Sequence, residues 1–342
     1  MPDLLVRPIR WERHVLRVLD QRILPLREVY RDCRTAPQVA EAIRSMTLRG
    51  APLIGCAAAY GLALAVRRGG RKALKPAAKL LLASRPTAVN LAHAVDRMVR
   101  AAEKFSETEL KNGLEKAATD YFEEDLEAGR RMAKFGAALI PRRARILTYC
   151  NAGALATAGI GTAVGVIVEA FRQGKVEHVY PCETRPFMQG SRLTLWELMK
   201  AGIPSTLITD NMAAHLMKTT RIDAVIVGSD RIAANADVCN KIGTYALAIA
   251  ARHHGVPFLV AAPLSTVDMN CPHGGKIPIE NRDPREVLEV GGRRMAPKGA
   301  RARHFAFDVT PAGLVSAIVT EAGVVKPASG PGLRRLLKIA PK

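Results

Sequence analysis

R-I-L-T-Y-C-N-A-G-A-L-A-T-A-G-I-G-T-A-V-G, residues 145–165, is the stretch on which the fold turns. A short apolar run, Ile146 to Tyr149, breaks off at Cys150-Asn151. Small residues follow, with Gly153, Gly159, Gly161 and Gly165 among them, and their spacing predicts an apolar helix from Ala154 to Phe171. Strand, small polar turn and helix form the unit from which open α/β sheets build ligand sites, in the crevice outside the carboxyl ends of the strands. Helix starts also carry bare N–H groups that favour anions. A thiol at such a junction is a candidate reacting group. The competing reading of Cys150 is a small buried hydrophobe, a common fate of an unpaired cysteine.

Towards the C-terminus the pattern of strand and helix repeats. Strand-like runs are Ile146–Tyr149, Val176–Tyr180, Ser205–Ile208, Ala224–Val227, Pro257–Ala261 and Phe305–Phe307, with helical runs between most of them. That alternation predicts a parallel, doubly wound, Rossmann-like sheet with right-handed crossovers. Polar residues crowd just past the strand ends: Cys150-Asn151, Glu183-Thr184-Arg185, Thr209-Asp210-Asn211, Ser229-Asp230-Arg231 and Asp308. All are expected to line one edge of one sheet. Arg185 and Gln189-Gly190-Ser191-Arg192 offer guanidinium and amide groups for phosphate and sugar hydroxyls. Asp230 follows an apolar strand, where poor solvation raises a carboxyl pKa toward the range useful for proton transfer; the alternative is a plain helix cap. Asn235, Asn240 and Lys241 follow, expected at the next helix start, and suit a polyol. No dinucleotide or Walker glycine pattern follows a strand, and Gly159 to Gly165 is expected inside the helix, so neither NAD nor a nucleotide is expected.

Towards the N-terminus, residues 1–30 alternate and break as a small antiparallel sheet does. Thr35-Ala-Pro-Gln38 opens a helix with a capping box and Pro in its first turn. Arg49-Gly50-Ala51-Pro52 joins it to a helix, Leu53 to Val66, that is apolar nearly all round and therefore buried. Gly50 suits a positive φ, and the Arg with the helix start suits a phosphate; an ordinary helix–helix turn is the alternative. Ser84-Arg85-Pro86-Thr87 caps a further helix. A long one spans about Glu107 to Ile140, its acids Glu123, Glu124, Asp125 and Glu127 reading as a solvated face. The charged bridge Pro141 to Arg145 marks the expected boundary between a mainly helical N-terminal domain, 1–141, and a Rossmann-like catalytic domain, 142–342.

With 342 residues, 48% of them hydrophobic, and a mean hydropathy of +0.03, the chain can bury a large core. No apolar run reaches the ~18 residues of a membrane span, and the start lacks an export signal, so a cytoplasmic protein with reduced thiols is expected. The six cysteines hold no C-x-x-C pair, which argues against zinc. The net charge of +20 is concentrated in Arg67 to Lys79 and in Arg293 to Arg303. Neither cluster is interleaved with aromatics, and no nucleic-acid motif appears, so the charge reads as solvated surface.

Several ordered motifs together carry a resemblance: L-R-G-A-P-L-I-G (48–55), Y-C-N-A-G-A-L-A-T-A-G-I-G-T (149–162), E-T-R-P-F-M-Q-G-S-R-L-T (183–194), T-D-N-M (209–212), G-S-D-R-I-A-A-N-A-D-V-C-N-K-I-G-T (228–244) and A-F-D-V-T-P (306–311). The sequence resembles the methylthioribose-1-phosphate isomerases of methionine salvage, grouped with ribose-1,5-bisphosphate isomerases and regulatory subunits of a translation initiation exchange factor. P-I-R-W (8–11), L-D-Q-R-I-L-P (19–25) and I-P-I-E-N-R-D-P-R-E-V (277–287) resemble the salvage enzymes in particular. The resemblance implies an aldose–ketose isomerase with Cys150 and Asp230 as its acid–base pair, and Arg49, Gly50, Ala51, Arg85, Gln189, Asn240 and Lys241 as substrate contacts. It also implies a homodimer acting on a sugar phosphate, and nothing in the sequence calls for a metal or organic cofactor. Cys182, where the salvage enzymes more often carry Asp, keeps ribose 1,5-bisphosphate open as the substrate. A sugar-phosphate-sensing subunit and a nucleic-acid binder are the remaining alternatives; the second would show steep salt dependence.

Overall fold

The computed structural model describes residues 4–86 and 88–339. The chain divides into two compact units, one running to Arg130 and taking back residues 152–165, the other holding residues 131–151 and those from Val166 onward. The sequence predicts a single cut between 141 and 142; here the division falls near Arg130, and the glycine-rich stretch belongs with the first unit.

The first unit opens with β1 (Ile9–Glu12), β2 (Val15–Leu19) and β3 (Tyr30–Cys33), an antiparallel sheet in that order. Helices α1 (Ala36–Arg44), α2 (Ala51–Gly69), α3 (Leu74–Leu82), α4 (Val89–Ala102) and α5 (Leu110–Ala137) follow, the last of them continuing past Arg130 into the second unit. Thr35 caps α1 by accepting from the Gln38 N–H at 3.4 Å. Of the stretch 84–87 expected to cap α4, Thr87 lies outside the described residues, and the Ser84 hydroxyl instead donates to the Leu81 carbonyl at 2.5 Å; the helix starts after Ala88, which has no capping side chain. Helix α2 is buried along most of its length, as its unbroken apolar composition requires. Part of the basic cluster is structural: Arg67 pairs with Glu115 at 3.2 Å, and Arg71 with Glu107 and two carbonyls. Asp125 is also no solvated acid, since it accepts the Ala158 N–H at 2.7 Å.

Asp20, with no exposed side chain, holds Arg22 at 2.8 Å and Arg31 at 2.5 Å. Burial works to raise its pKa, but the hydrogen bonds from the two guanidinium groups win and hold it at about 2. A folded pKa below the unfolded value gives stability that is present above about pH 4 and lost as pH falls through about 2. Asp20→Asn is therefore expected to lower stability by roughly 2 kcal/mol at pH 7, and denaturant melts of both proteins near pH 2 should converge.

The helix expected from Ala154 begins only at Ala163. Residues 154–156 make one tight turn, and Gly159 (φ +144°) and Gly161 (φ +91°) take non-helical backbone. The Thr157 hydroxyl accepts the N–H groups of Gly159 and Gly161, at 3.2 and 2.8 Å. That local bond competes with helix.

The second unit carries β4 (Ala144–Thr148), α6 (Ala163–Arg172, which leads in from the first), β5 (Val176–Pro181), α7 (Leu195–Lys200), α8 (Ala213–Thr219) and β6 (Ala224–Val227). Strands β7 (Arg231–Ala233) and β8 (Val238–Lys241), helix α9 (Thr244–His253), β9 (Phe258–Ala261) and β10 (Val267–Asp268) come next. After α10 (Arg285–Leu288), β11 (Glu289–Val290) and β12 (Arg293–Arg294) lie β13 (Phe307–Thr310), β14 (Ala317–Thr320), β15 (Gly323–Val325) and α11 (Gly330–Ile339). The main sheet has the order β5-β4-β6-β9-β14-β15, parallel except for β15. Ser205–Ile208 contributes only single bridges, from Ser205 to Val179 and Ile208 to Cys182. The strand expected at Phe305 begins at Phe307 and belongs to a second sheet, β10-β7-β8-β13, so Asp308 does not lie on the main sheet's edge. Burial of β6 and β9 at every position explains their unalternating apolar sequence.

Candidate active site

Strand β4 is first in the chain of the main sheet, with β5 on one side of it and β6 on the other. The chain order reverses there, and such a switch point leaves a crevice outside the strand ends. Thr148 of β4 is in register with Ile226 of β6. Cys150 stands two residues beyond Thr148 and Asp230 three beyond Val227, so both follow neighbouring strands into the same end of the sheet.

Cys150 has φ +62°, a left-handed conformation that costs a non-glycine residue about 1–2 kcal/mol. Its N–H donates to the Thr184 hydroxyl at 2.8 Å, and its carbonyl accepts from the Thr194 hydroxyl at 2.5 Å. Thr184, itself at φ +65°, donates its hydroxyl to the Cys182 carbonyl at 3.1 Å. Asp210 takes the N–H groups of Thr184 and Arg185, each at 2.7 Å. Asn151 donates to Thr194 at 3.2 Å and to the buried Glu197 at 2.8 Å. The thiol does not sit at a helix start, as the sequence leads one to expect: α6 begins thirteen residues later, at Ala163. Hydroxyls and strained backbone, rather than helix N–H groups, fix its place. Cys150 is also the one cysteine of the six that is not buried.

Asp230 is half-buried, its N–H donating to the Cys239 carbonyl at 2.9 Å at the mouth of the β7–β8 hairpin. Burial, followed by the Asp230 and Asp308 carboxylates, pushes the Cys239 thiol up to about 12. Asp308 accepts the N–H groups of Gly243 and Tyr245, at 2.7 and 3.1 Å, at the start of α9. Burial nevertheless raises its carboxyl to about 6. Tyr149, next to Cys150, donates to the Ile242 carbonyl at 2.9 Å and ties this loop to β4. Burial and the nearby Asp210 push the Tyr149 phenol well up.

The expected substrate contacts divide between the units. In the second, Asn240 and Lys241 lie in β8, not on a helix start. Asn240 is buried and donates to Thr244 at 3.1 Å; Lys241 reaches the Ala306 carbonyl at 2.8 Å and sits over the Phe307 ring. Gln189 is 4% exposed, and its Oε1 has no hydrogen-bond partner among the described residues, an orphan acceptor that a ligand hydroxyl would satisfy. In the first unit, Arg49 is buried, Gly50 (φ +98°) caps α2, and Ala51 opens it; a Cβ on Gly50 would lie 2.5 Å from Ala156 backbone atoms. Arg85 is half-buried between α3 and α4.

Two expected ligand groups are committed elsewhere. The Arg185 guanidinium donates to the Pro186 and Val287 carbonyls at 3.1 and 2.8 Å, and Asn235 closes the β7–β8 turn with Asp237. Cys182 is wholly buried in the apolar core, its thiol pushed up by that burial. Among the described residues no group of three or more His, Cys, Asp or Glu could hold a metal ion. No helix among them is long and apolar enough to cross a membrane.

Residues 47–327 match the Initiation factor 2 subunit family, which fixes the class of protein to which this chain belongs. The methylthioribose-1-phosphate isomerase of Chloroflexus aurantiacus is 53% identical over 97% of this chain and 98% of its own. The crystal structure of 5-methylthioribose 1-phosphate isomerase from Pyrococcus horikoshii superposes with a TM-score of 0.93 at 41% identity, covering 99% of each chain. A structure described as translation initiation factor eIF-2B, subunit delta, from A. fulgidus gives 0.89 at 42% identity, over 98% of this chain and 100% of its own. The chain belongs to the methylthioribose-1-phosphate isomerase family, and is an enzyme of the isomerase class.

Proposed function

We propose that this protein converts 5-methylthioribose 1-phosphate to 5-methylthioribulose 1-phosphate in methionine salvage, with Cys150 and Asp230 as its acid–base pair. The observation that carries the reading is a thiol and a carboxyl following adjacent strands at the switch point of the sheet. The phosphate on O1 blocks a free aldehyde, so the ring must open first: the C1–O4 bond breaks and O4 gains a proton. The hydrogen on C2 moves to C1, and the C2 hydroxyl gives up its proton to leave a ketone. One carboxyl that donates the first proton and accepts the second returns to its starting state; that role falls to Asp230. Cys150 either carries the C2 hydrogen to C1 as a proton or stabilises the transition state as the hydrogen passes directly as hydride. Deuterium from solvent at C1 of the product is expected for the first route alone.

Arg49, Gly50 and Ala51 are assigned to the phosphate, a buried guanidinium beside a helix start being suited to it. Arg85, Gln189, Asn240 and Lys241 are assigned to the remaining oxygens. The reading extends to a homodimer in the cytoplasm, without membrane or specific nucleic-acid partners. Turnover of 5-methylthioribose 1-phosphate, beside Cys150→Ser and Asp230→Asn and with ribose 1,5-bisphosphate as competitor, tests it. Ketose formed by the wild type and lost in both variants supports the reading; turnover of the bisphosphate alone, or binding without turnover, overturns it.

Gln189 supplies an independent check. Its orphaned Oε1 costs the empty protein a desolvated acceptor. Gln189→Leu is expected to raise KM about tenfold while thermal stability stays level or rises; a lower Tm with KM unchanged would remove Gln189 from the site.

A further inference from the structure

Two consecutive observations at Cys150 require a common account. The residue is held in left-handed backbone (φ +62°), and both its peptide groups are bound by hydroxyls from elsewhere in the chain, Thr184 on the N–H and Thr194 on the carbonyl. Neither threonine has any solvent exposure. The Thr184 hydroxyl gives its own proton to the Cys182 carbonyl at 3.1 Å, which leaves a lone pair for the Cys150 N–H and fixes the direction of that bond. Thr184 itself is β-branched at φ +65°, where such residues are rarely found. Asp210 holds it there through the paired N–H groups of Thr184 and Arg185. Strained residues that hold one another beside a reactive group are over-determined by their surroundings, and such strain collects where geometry serves function.

We propose that Thr184 is the positioning residue of Cys150: its hydroxyl, braced by Asp210, keeps the backbone in the left-handed conformation that sets the direction of the thiol. The inference rests on the assignment of Cys150 to catalysis. Thr184→Val keeps the shape and removes the hydroxyl; Thr184→Ser keeps the hydroxyl and removes the methyl. Without the bond the Cys150 peptide relaxes, and displacement of a reacting group by a fraction of an ångström is felt in kcat more than in binding.

The test measures steady-state turnover of 5-methylthioribose 1-phosphate and, separately, the pH profile of Cys150 alkylation by iodoacetamide, read by peptide mass spectrometry. Cys150 can be followed alone because the other five cysteines are buried. Thr184→Val is expected to lower kcat roughly 10- to 100-fold with little change in KM and to shift the alkylation profile, and Thr184→Ser to restore both. Wild-type kcat and alkylation in Thr184→Val overturn the proposal, as does a loss that Thr184→Ser fails to rescue. Should Thr184→Val not accumulate as folded protein, Thr184→Ala, which also removes the hydroxyl that holds the Cys150 N–H, replaces it under the same criteria. If Cys150→Ser proves fully active, the catalytic assignment fails, while an altered alkylation profile in Thr184→Val still upholds the positioning.

Discussion

Asp230→Asn is expected to lower kcat by about 10²- to 10⁴-fold while changing KM by less than about threefold. Asn fills the same space beyond β6 and leaves the bond from the Asp230 N–H to the Cys239 carbonyl in place, and an unchanged melt separates lost chemistry from lost folding. An amide neither donates a proton to O4 nor accepts one from O2 at useful rates, and the proposed mechanism assigns both transfers to this one carboxyl. Cys150→Ser should cost a comparable factor, because a serine hydroxyl ionises far less readily than a thiol. In the proposed mechanism the two serve one transition state, so the double variant should be little worse than either single one. Stopped assays of ketose formation and a thermal melt suffice. A tenfold or smaller loss in both variants, with intact melts, would mean that the reaction runs on other groups.

The sheet was legible because its strands β6, β9 and β14 are buried on both faces, and burial writes itself into sequence as short apolar runs between helices. Ala224–Val227 shows the signal at its plainest. The polar residues just past those runs were legible for the same reason, since chain that leaves a buried sheet must become polar to turn. Ala154–Gly161 misleads because small apolar residues suit a helix and a tight glycine loop equally. What decides there is tertiary: the Thr157 hydroxyl binds Gly159 and Gly161, and Asp125 binds Ala158 from a distant helix. Phe305–Phe307 misleads differently, for strand propensity does not say which sheet a strand joins.

The groups around Cys150 carried less signal still. Thr184 and Thr194 look like ordinary threonines, and only their backbone and burial reveal a task. Arg185 shows the opposite failure: a guanidinium in a suggestive motif, spent on carbonyls at Pro186 and Val287. Residue type proposes chemistry, but which partner a side chain finds depends on contacts a hundred residues away. Gly243 was legible only as part of a motif, yet it joins β8, α9 and Tyr149.

Gly243→Ala is expected to destabilise the protein by about 2–4 kcal/mol and to weaken substrate binding. Gly243 sits at φ +102°, where a side chain costs roughly 1–2 kcal/mol. A Cβ there would also lie 2.1 Å from the Tyr149 hydroxyl, and crowding of that kind adds about 1–3 kcal/mol. Relief cannot come from the loop, because the Gly243 N–H is held by Asp308 at 2.7 Å and the preceding carbonyl by Tyr149 at 2.9 Å. Tyr149 cannot retreat freely either, being buried and joined directly to Cys150. The strain therefore passes both ways, into Asn240 and Lys241 on one side and Cys150 on the other, so KM should rise and kcat fall together. Tyr149→Phe removes the atom that Cβ meets first, and the pair should be less destabilised than the two single changes summed, by about 1 kcal/mol or more. Strict additivity in denaturant melts would show that backbone strain at Gly243 acts alone, and that the contact with Tyr149 does not couple this loop to the strand that carries the thiol.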